Sequence, residues 1–374
     1  MSGRRSPPSL PSDPGVVRAR ELLDPEGLAA LLGRVRDARV DEARVRYLEY
    51  SPGSWLIVRA EAAFGGDRHE VVVSTGWLDG GGDAVTVGWF PFDPGLPGLR
   101  EGLRPLVDAL GVSGPPGDAT LLAWVPHRRA VLRVGDAVVK VHATREEAAS
   151  AVRCLRSVAA ALPAPSLLGL DPDRGAYALE VVRGEPLVRG DAGASVSGAA
   201  DLLARLRRSD IDGLVRFGPE ELLGLCAPVV DLVAFAAPQL ADRVTGLRAR
   251  LASAVPSGLD VVPAHGDFNV GQLLSVPGVG LAVVDTDTLC LAPAAFDVAS
   301  YAANLLSGRV RDLDEVREVV EHLVAATGER PAGLDWYLAA MTLRRADRAI
   351  RRLKRDWPER TERLVGAAEA LLAG

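Results

Sequence analysis

AHGDFNVGQLL, at positions 264–274, and GLAVVDTDT, at positions 280–288, are the most informative parts of this sequence. The first contains a turn that ends in Asp267, and a Pro-Gly turn precedes the strand that leads to Asp285. Such a hairpin brings Asp267, Gln272 and Asp285 to one end of a small sheet. Carboxylate and amide oxygens suit Mg²⁺ and phosphate chemistry. The spacing alone therefore predicts a hard-cation site with one further carboxylate available as a base.

The same motifs carry a family resemblance. His-Gly-Asp, four residues, an amide and a later aliphatic-Asp-x-Asp resemble the catalytic loop of the aminoglycoside phosphotransferase/choline kinase-like superfamily, relatives of the protein kinases. The resemblance implies that Asp267 is the catalytic base and that Asp285 holds metals bridging the ATP phosphates. Asp287 either binds a second metal or supports the residues that bind the first. Gln272 stands where Asn is usual, as in maltokinase-like members, and keeps an amide oxygen for the metal. Asp297 is expected to brace the catalytic loop.

Lys140 lies in the strand-like run AVVKVH, just before a predicted helix. Lysine occurs only here and at position 354, and all the other basic residues among the 43 are arginine. A lysine that escapes this bias is a good candidate for a specific role, and a compact ammonium suits phosphate oxygens. The resemblance implies that Lys140 holds ATP.

Glu147, in the helix that follows, has two interpretations that the sequence leaves open. It lies one helical turn before the position where relatives carry the partner of the strand lysine, so it could reach Lys140. Alternatively, it forms a capping box with Thr144.

Further nucleotide contacts are expected around the same sheet. A glycine-rich phosphate loop is absent, and the turn at 126–129 offers Arg128 or Arg129 for phosphate binding, of which we favour Arg128. The resemblance identifies 177–182 as the strand leading to the interlobe hinge. It implies that backbone groups of Glu180 and Val182 pair with adenine.

The order of predicted elements, together with the resemblance, gives an α+β, protein-kinase-like two-lobe fold: a small antiparallel-sheet ATP lobe and a large, mainly helical lobe. We expect a disordered tail at 1–14, an extra α+β N-terminal cap domain at 15–115, the ATP-binding lobe at 116–183 and the helical lobe with the catalytic loop at 184–374. The Gly- and Pro-rich segment 111–118 reads as the linker.

Composition sets broad limits on function. The formal charge is −6, which argues against a nucleic-acid-binding surface. No apolar run reaches the ~20 residues of a membrane helix, and the N-terminus lacks the apolar stretch of a secretory signal. The three cysteines suggest neither a disulfide framework nor a zinc site. We expect a cytoplasmic protein that contacts neither nucleic acid nor membrane.

The sequence thus predicts an ATP- and Mg²⁺-dependent kinase acting on a hydroxyl of a small molecule, such as a sugar, aminosugar or antibiotic-like metabolite. Two alternatives stay open. One is a peptide Ser/Thr kinase of natural-product biosynthesis, with a peptide or protein partner bound through the N-terminal domain. The other is a pseudokinase scaffold without turnover, which the change at Gln272 would suit.

Overall fold

The computed structural model describes residues 9–77, 84–187, 192–211, 213–308 and 312–373. The described residues form an α+β molecule with antiparallel sheets and a mainly helical C-terminal part, as predicted. The expected tail at 1–14 lies largely outside the described residues. Near its end, Asp13 accepts hydrogen bonds from the Tyr50 hydroxyl (2.6 Å) and the Gly53 N–H (2.8 Å), so this segment is fixed to a hairpin turn.

The first part of the chain packs two helices against a four-stranded antiparallel sheet in the order β1-β2-β3-β4. Asp24 caps the second helix by accepting from Gly27 N–H at 2.8 Å, with Pro25 at its first position. The elements are α1 (Ala19–Leu23), α2 (Pro25–Arg36), β1 (Glu42–Ser51), β2 (Trp55–Phe64), β3 (Asp67–Thr75) and β4 (Val85–Trp89).

The second sheet is the predicted small lobe, with five antiparallel strands in the order β5-β6-β7-β9-β8. Its helix α4 (Arg145–Ala159) covers one face through small and aliphatic residues that contact Tyr177 and Leu179. The strands are β5 (Thr120–Val125), β6 (Arg129–Val134), β7 (Ala137–His142), β8 (Leu167–Asp171) and β9 (Ala176–Glu180).

The opposite face of this sheet is covered by residues that precede the predicted linker. Leu96, Leu99 and the short helix α3 (Leu103–Ala109) belong to one core cluster with Val139 and Val141 of β7. The approach is close: a Cβ added at Gly98 would lie 2.3 Å from the Arg174 carbonyl oxygen. The apolar cover of the ATP lobe therefore includes residues before 116, while the boundary proposed there stays a prediction.

The helical lobe carries two small sheets, β10-β12-β13 and β11-β14, among its helices. Their strands are β10 (Glu185–Pro186), β11 (Val261–Ala264), β12 (Leu273–Val276), β13 (Gly280–Val283) and β14 (Cys290–Pro293). The helices are α5 (Ala192–Arg207), α6 (Pro219–Ala236), α7 (Ala241–Ser253), α8 (Ala295–Ser307), α9 (Leu313–Thr327), α10 (Leu334–Leu343), α11 (Arg348–Arg351) and α12 (Trp357–Ala373).

The four-stranded sheet contacts both lobes. Tyr50 of β1 packs edge-on against Phe235 of α6, with ring centroids 5.3 Å apart. On the other side, Ile57 of β2 shares a core cluster with Trp124 of β5. The first sheet therefore packs against both lobes.

Candidate active site

The turn after β11 presents Asp267 at the bottom of the interlobe cleft. Asp297, at the start of α8, accepts hydrogen bonds from the N–H groups of His265 (2.7 Å) and Gly266 (3.1 Å), which confirms the predicted brace. Burial raises the pKa of the Asp297 carboxyl, although His265 and the two N–H donors oppose that shift. Gly266 has φ +85°, and a Cβ there would lie 2.0 Å from the Thr288 carbonyl oxygen. The turn therefore requires glycine.

Asp267 itself is partly exposed and faces a groove. Its Oδ1 lies 3.4 Å from Nη2 of Arg345, a buried arginine that also reaches the Ser300 hydroxyl at 3.3 Å. The Asn269 amide donates to the Asp267 carbonyl at 2.8 Å and accepts from Gly271 N–H at 2.9 Å. The carboxylate is thus positioned from both backbone and side chain. Sequence reasoning missed Arg345, because a contact spanning 78 residues has no local signal.

Two carboxylates that follow β13 converge on the strand lysine. Lys140 Nζ donates to Asp285 Oδ1 at 2.6 Å and to Asp287 Oδ1 at 2.8 Å. Asp285 has φ 59°, in the left-handed region, and opens a single 3₁₀ turn that turns both carboxylates toward β7. The structure thus brings Lys140, Asp285 and Asp287 together.

Arg129 and Tyr177 complete this cluster. Arg129 Nη1 lies 3.2 Å from Asp285 Oδ1 and 3.1 Å from Asp287 Oδ2, and the Tyr177 hydroxyl donates to Asp287 Oδ1 at 2.7 Å. Burial would raise the pKa of Asp285, but the charges of Lys140 and Arg129 hold it well below its usual range. Asp285 is therefore ionised at any physiological pH.

Arg128, the arginine favoured from the sequence, has an exposed side chain outside this cluster, and Arg129 holds the carboxylates instead. The register explains the difference. Ala130 and Leu132 point into the core, and Val131 lies opposite Lys140, so alternation along β6 puts Arg129 on the lysine's face of the sheet. That alternation was visible in the sequence.

Glu147 forms the capping box rather than a lysine pair. Its carboxylate accepts from Thr144 N–H at 3.2 Å, and its own N–H donates to the Thr144 hydroxyl at 3.1 Å. The side chain is exposed, whereas Lys140 is buried and bonded to Asp285. Because α4 begins so soon after β7, its first turn stays at the edge of the sheet.

The predicted adenine contacts lie at the end of β9. Glu180 pairs with Ala137 across the sheet and has an exposed side chain, and Val182 follows two residues later. Glu180 N–H donates to the Ser166 carbonyl at 2.9 Å. These positions are consistent with a segment joining the lobes, and their pairing with adenine stays a prediction.

The carboxylate cluster fits a hard cation. Gln272 Nε2 lies 3.2 Å from Asp285 Oδ2, so the three predicted metal ligands adjoin. Within the described ranges no group of three or more His, Cys, Asp or Glu side chains could hold a metal unaided. Mg²⁺ commonly binds through one or two carboxylates plus substrate phosphates, and Asp285 and Asp287 are two adjoining carboxylates of the kind that such a site would use.

A groove of about 2400 Å³ opens beside Asp267. It runs between the first sheet, the turn after β5 and the segment that joins α10 to α12. Asp267, Gln272 and Arg129 line it, whereas Lys140 and Asp285 are not among the described residues of its wall. The groove therefore reaches Asp267 and two of the side chains that contact Asp285, namely Gln272 and Arg129.

The site lies within a stretch of the chain that matches a known protein family. Residues 118–337, more than half of the chain, match the family model described as "Phosphotransferase enzyme family". This chain belongs to the phosphotransferase enzyme family. No curated protein matches this family member. The predicted superfamily is thereby confirmed, and the matched residues contain Lys140, Asp267, Asp285 and Asp287.

Solved structures agree on the fold of this phosphotransferase. A choline/ethanolamine kinase family protein from Mesorhizobium loti shares 18% identity, with TM-score 0.51, 72% of this chain and 91% of that chain covered. The amicoumacin kinase hAmiN, in complex with AMP-PNP, Ca²⁺ and Ami, shares 14% identity with a TM-score of 0.52, and the match covers 72% of this chain and 92% of that chain. A thermostable mutant of aminoglycoside phosphotransferase APH(4)-Ia shares 17% identity with a TM-score of 0.50, and the match covers 72% of this chain and 97% of that chain. The predicted protein-kinase-like fold is confirmed.

In the described part of this phosphotransferase, no helix is both long enough and apolar enough to cross a bilayer.

Proposed function

We propose that this phosphotransferase transfers the γ-phosphoryl group of ATP to an alcohol hydroxyl in a Mg²⁺-dependent reaction. The observation that carries the proposal is that Lys140 lies 2.6 Å from Asp285, while Asp267 lines a groove that Gln272 and Arg129, both in contact with Asp285, also line. Nucleotide and acceptor would thus meet at the exposed carboxylate. A sugar, aminosugar or antibiotic-like metabolite is the acceptor class that the family membership favours.

In this proposal Asp285 and Asp287 would hold Mg²⁺, with Gln272 turning its amide oxygen toward the metal. When bound, the metal neutralises charge on the phosphates during transfer. In the structure the Lys140 ammonium donates three hydrogen bonds to the Asp285 and Asp287 carboxylates. It would instead bind phosphate oxygens as a point charge.

Asp267 would orient the acceptor hydroxyl and accept its proton. The bond from the acceptor oxygen to phosphorus forms while the bond from phosphorus to the ADP oxygen breaks, so one proton passes to the carboxylate and ADP leaves. Arg345, 3.4 Å from Oδ1, keeps the carboxylate in place. Most of the rate would come from positioning and charge neutralisation.

The test compares wild type with Asp267→Asn, and with Asp108→Asn as a control in an exposed stretch of α3. AMP-PNP binding with Mg²⁺ is measured by calorimetry, and acceptor-dependent ADP release is measured over a panel of sugars, aminosugars and hydroxyl-bearing peptides. We expect Asp267→Asn to bind nucleotide as wild type does and to lose about 10²-fold or more of the rate. Retention of more than about a tenth would contradict the role of Asp267.

A peptide Ser/Thr kinase is the second candidate, and the groove is the observation that favours it. At about 2400 Å³ it exceeds the ~300–1,000 Å³ of ordinary small-molecule pockets. It also runs between the N-terminal part and the helical lobe, where a peptide would be gripped along its length. Phosphorylation of peptides but no small molecule in the panel would favour this candidate. Nucleotide binding without any turnover would favour the pseudokinase scaffold.

A further inference from the structure

One wall of the groove is strongly cationic. The segment RRADRAIRRLKR, at 344–355, joins α10 to α12 and contains seven basic residues and one acidic residue. Those of its cations that line the groove are Arg344, Arg348, Arg351, Arg352, Lys354 and Arg355. We call this segment the basic wall.

The acidic side chains near this wall are already satisfied. Arg351 pairs with Asp347 (2.5 Å) and with Glu49 of β1, and Asp356 pairs with Arg360 at 2.8 Å. Asp267, the remaining carboxylate beside the wall, pairs with the buried Arg345. Each of these four carboxylates therefore already has an arginine partner.

Within the part of the chain that the structure describes, Arg344, Arg348, Arg352, Lys354 and Arg355 have no carboxylate within 4 Å. Arg344 Nη1 lies 3.9 Å from the Met341 sulfur. Exposed cations need no partner, since water solvates them. Arg344 and Arg348 are different, because both are only partly exposed, and Arg348 also lies within the electrostatic reach of Arg344 and Arg352.

The surroundings of Arg348 disfavour its charge. Burial lowers the pKa of the guanidinium, and Arg352 and Arg344 lower it further, against the opposing effect of Asp267 and Asp347. An arginine still remains ionised at neutral pH. A cation kept in such a place, facing a groove and within the electrostatic reach of Asp267, is what an anion-binding site requires before its ligand arrives.

We propose that the basic wall binds an anionic group, a carboxylate or a phosphate, on the same molecule whose hydroxyl meets Asp267. This inference rests on the proposed function and names its acceptor class. Guanidinium groups bind carboxylate and phosphate oxygens in paired hydrogen bonds, so Arg344, Arg348 and Arg352 would fix the acceptor in register with Asp267. A polycationic aminosugar would instead meet like charge, which costs affinity and slows association.

Two sources share this chemistry: a small acid, such as a sugar phosphate or carboxylate, and an acidic peptide containing Ser or Thr. The probes are therefore citrate and the peptides Gly-Glu-Glu-Ser-Glu-Glu-Gly and Gly-Lys-Lys-Ser-Lys-Lys-Gly. Binding to the full chain is measured by calorimetry in EDTA. The variants are Arg348→Met and Arg352→Met, which keep an aliphatic stem, and Arg104→Met, an exposed arginine away from the groove, is the control.

We expect citrate and the Glu peptide to bind wild type and Arg104→Met with equal affinity. Each wall variant should bind both probes about 10-fold or more weakly. The Lys peptide should not bind. A Glu peptide that binds at least about 10-fold more tightly than citrate would identify an extended peptide acceptor, whereas equal or weaker binding would identify a small acid.

Equal binding to wild type and both wall variants, or no binding of either anionic probe, would overturn the inference. Binding of AMP-PNP with Mg²⁺, measured on the same protein preparations in buffer without EDTA, separates the two proposals. If nucleotide binds while the anionic probes do not, the acceptor class is wrong and the kinase proposal stands. If nucleotide does not bind, the kinase proposal itself fails.

Discussion

Lys140 Nζ lies 2.6 Å from Asp285 Oδ1, which joins β7 of the small lobe to the loop after β13 of the helical lobe across the cleft. The two residues are 145 positions apart in the chain. Both residues are expected to act in nucleotide binding, and the contact places them in one cluster. Several experiments can separate the roles of its members.

Replacing Lys140 with arginine should raise the KM for ATP by about 10-fold or more, although the charge is conserved. The ammonium lies between Asp285 and Asp287, and Arg129 already occupies their other side, so a wide guanidinium would displace a carboxylate or a phosphate. Steady-state kinetics with varied ATP measure the effect. The control is Arg104→Lys, which makes the reverse exchange at an exposed position away from the groove. An unchanged KM and kcat in Lys140→Arg would remove Lys140 from the nucleotide site.

The stability of the protein in acid should depend on Asp285. Its pKa is lower in the folded chain than in the unfolded chain, so its ionisation stabilises the fold above pH ~4. This contribution is lost as the pH falls below ~4 toward the folded pKa. Urea unfolding at a series of pH values should therefore show a shallower decline for Asp285→Asn than for wild type. The same decline in both proteins would mean that Asp285 is not stabilised by Lys140 and Arg129.

Breaking the α4 capping box should lower the unfolding free energy and leave the KM for ATP unchanged. Thr144→Ala removes one of the two hydrogen bonds that Thr144 and Glu147 exchange, and should cost about 0.5–2 kcal/mol of unfolding free energy. Glu147→Ala should lower stability in the same direction, with the KM for ATP unchanged in both variants. A rise in KM confined to Glu147→Ala would instead mean that Glu147 pairs with Lys140 once nucleotide binds.

The cover of the ATP lobe gives a quantitative prediction. Leu106 is 1% exposed and belongs to the core cluster under the five-stranded sheet, so Leu106→Ala should lower the unfolding free energy by about 2–5 kcal/mol. Leu122 of β5 is 52% exposed and provides the control, for which we expect a change within ~0.5 kcal/mol. Chemical denaturation measures both. Similar values for the two leucines would show that α3 is not part of the ATP-lobe core.

The catalytic loop was predictable because its information is local. The turn, the short hairpin and the strand before Asp285 all lie within 25 residues, and Gly266 and the Pro-Gly turn fix the backbone there. Lys140 was predictable for a different reason, namely that lysine is so rare in this chain.

Other members of the site have no such signal. Arg345 reaches Asp267, and Tyr177 reaches Asp287, through tertiary packing that no pattern within one element specifies. Arg129 was within reach of sequence reasoning, through the alternation of β6. For Glu147 the sequence contained both interpretations, and the short connection from β7 to α4 selected the cap.

The first sheet touches both lobes, and this constrains how the cleft opens. Tyr50 rests on α6 of the helical lobe, while Arg59 of the neighbouring strand donates to the Trp124 carbonyl of the small lobe at 3.3 Å. Any hinge rotation that parts the lobes must slide or break one of these two seams. If the proposed reaction needs the lobes to part for ATP to enter and ADP to leave, each of these movements would have to disturb a contact of the N-terminal sheet, which bridges the two lobes.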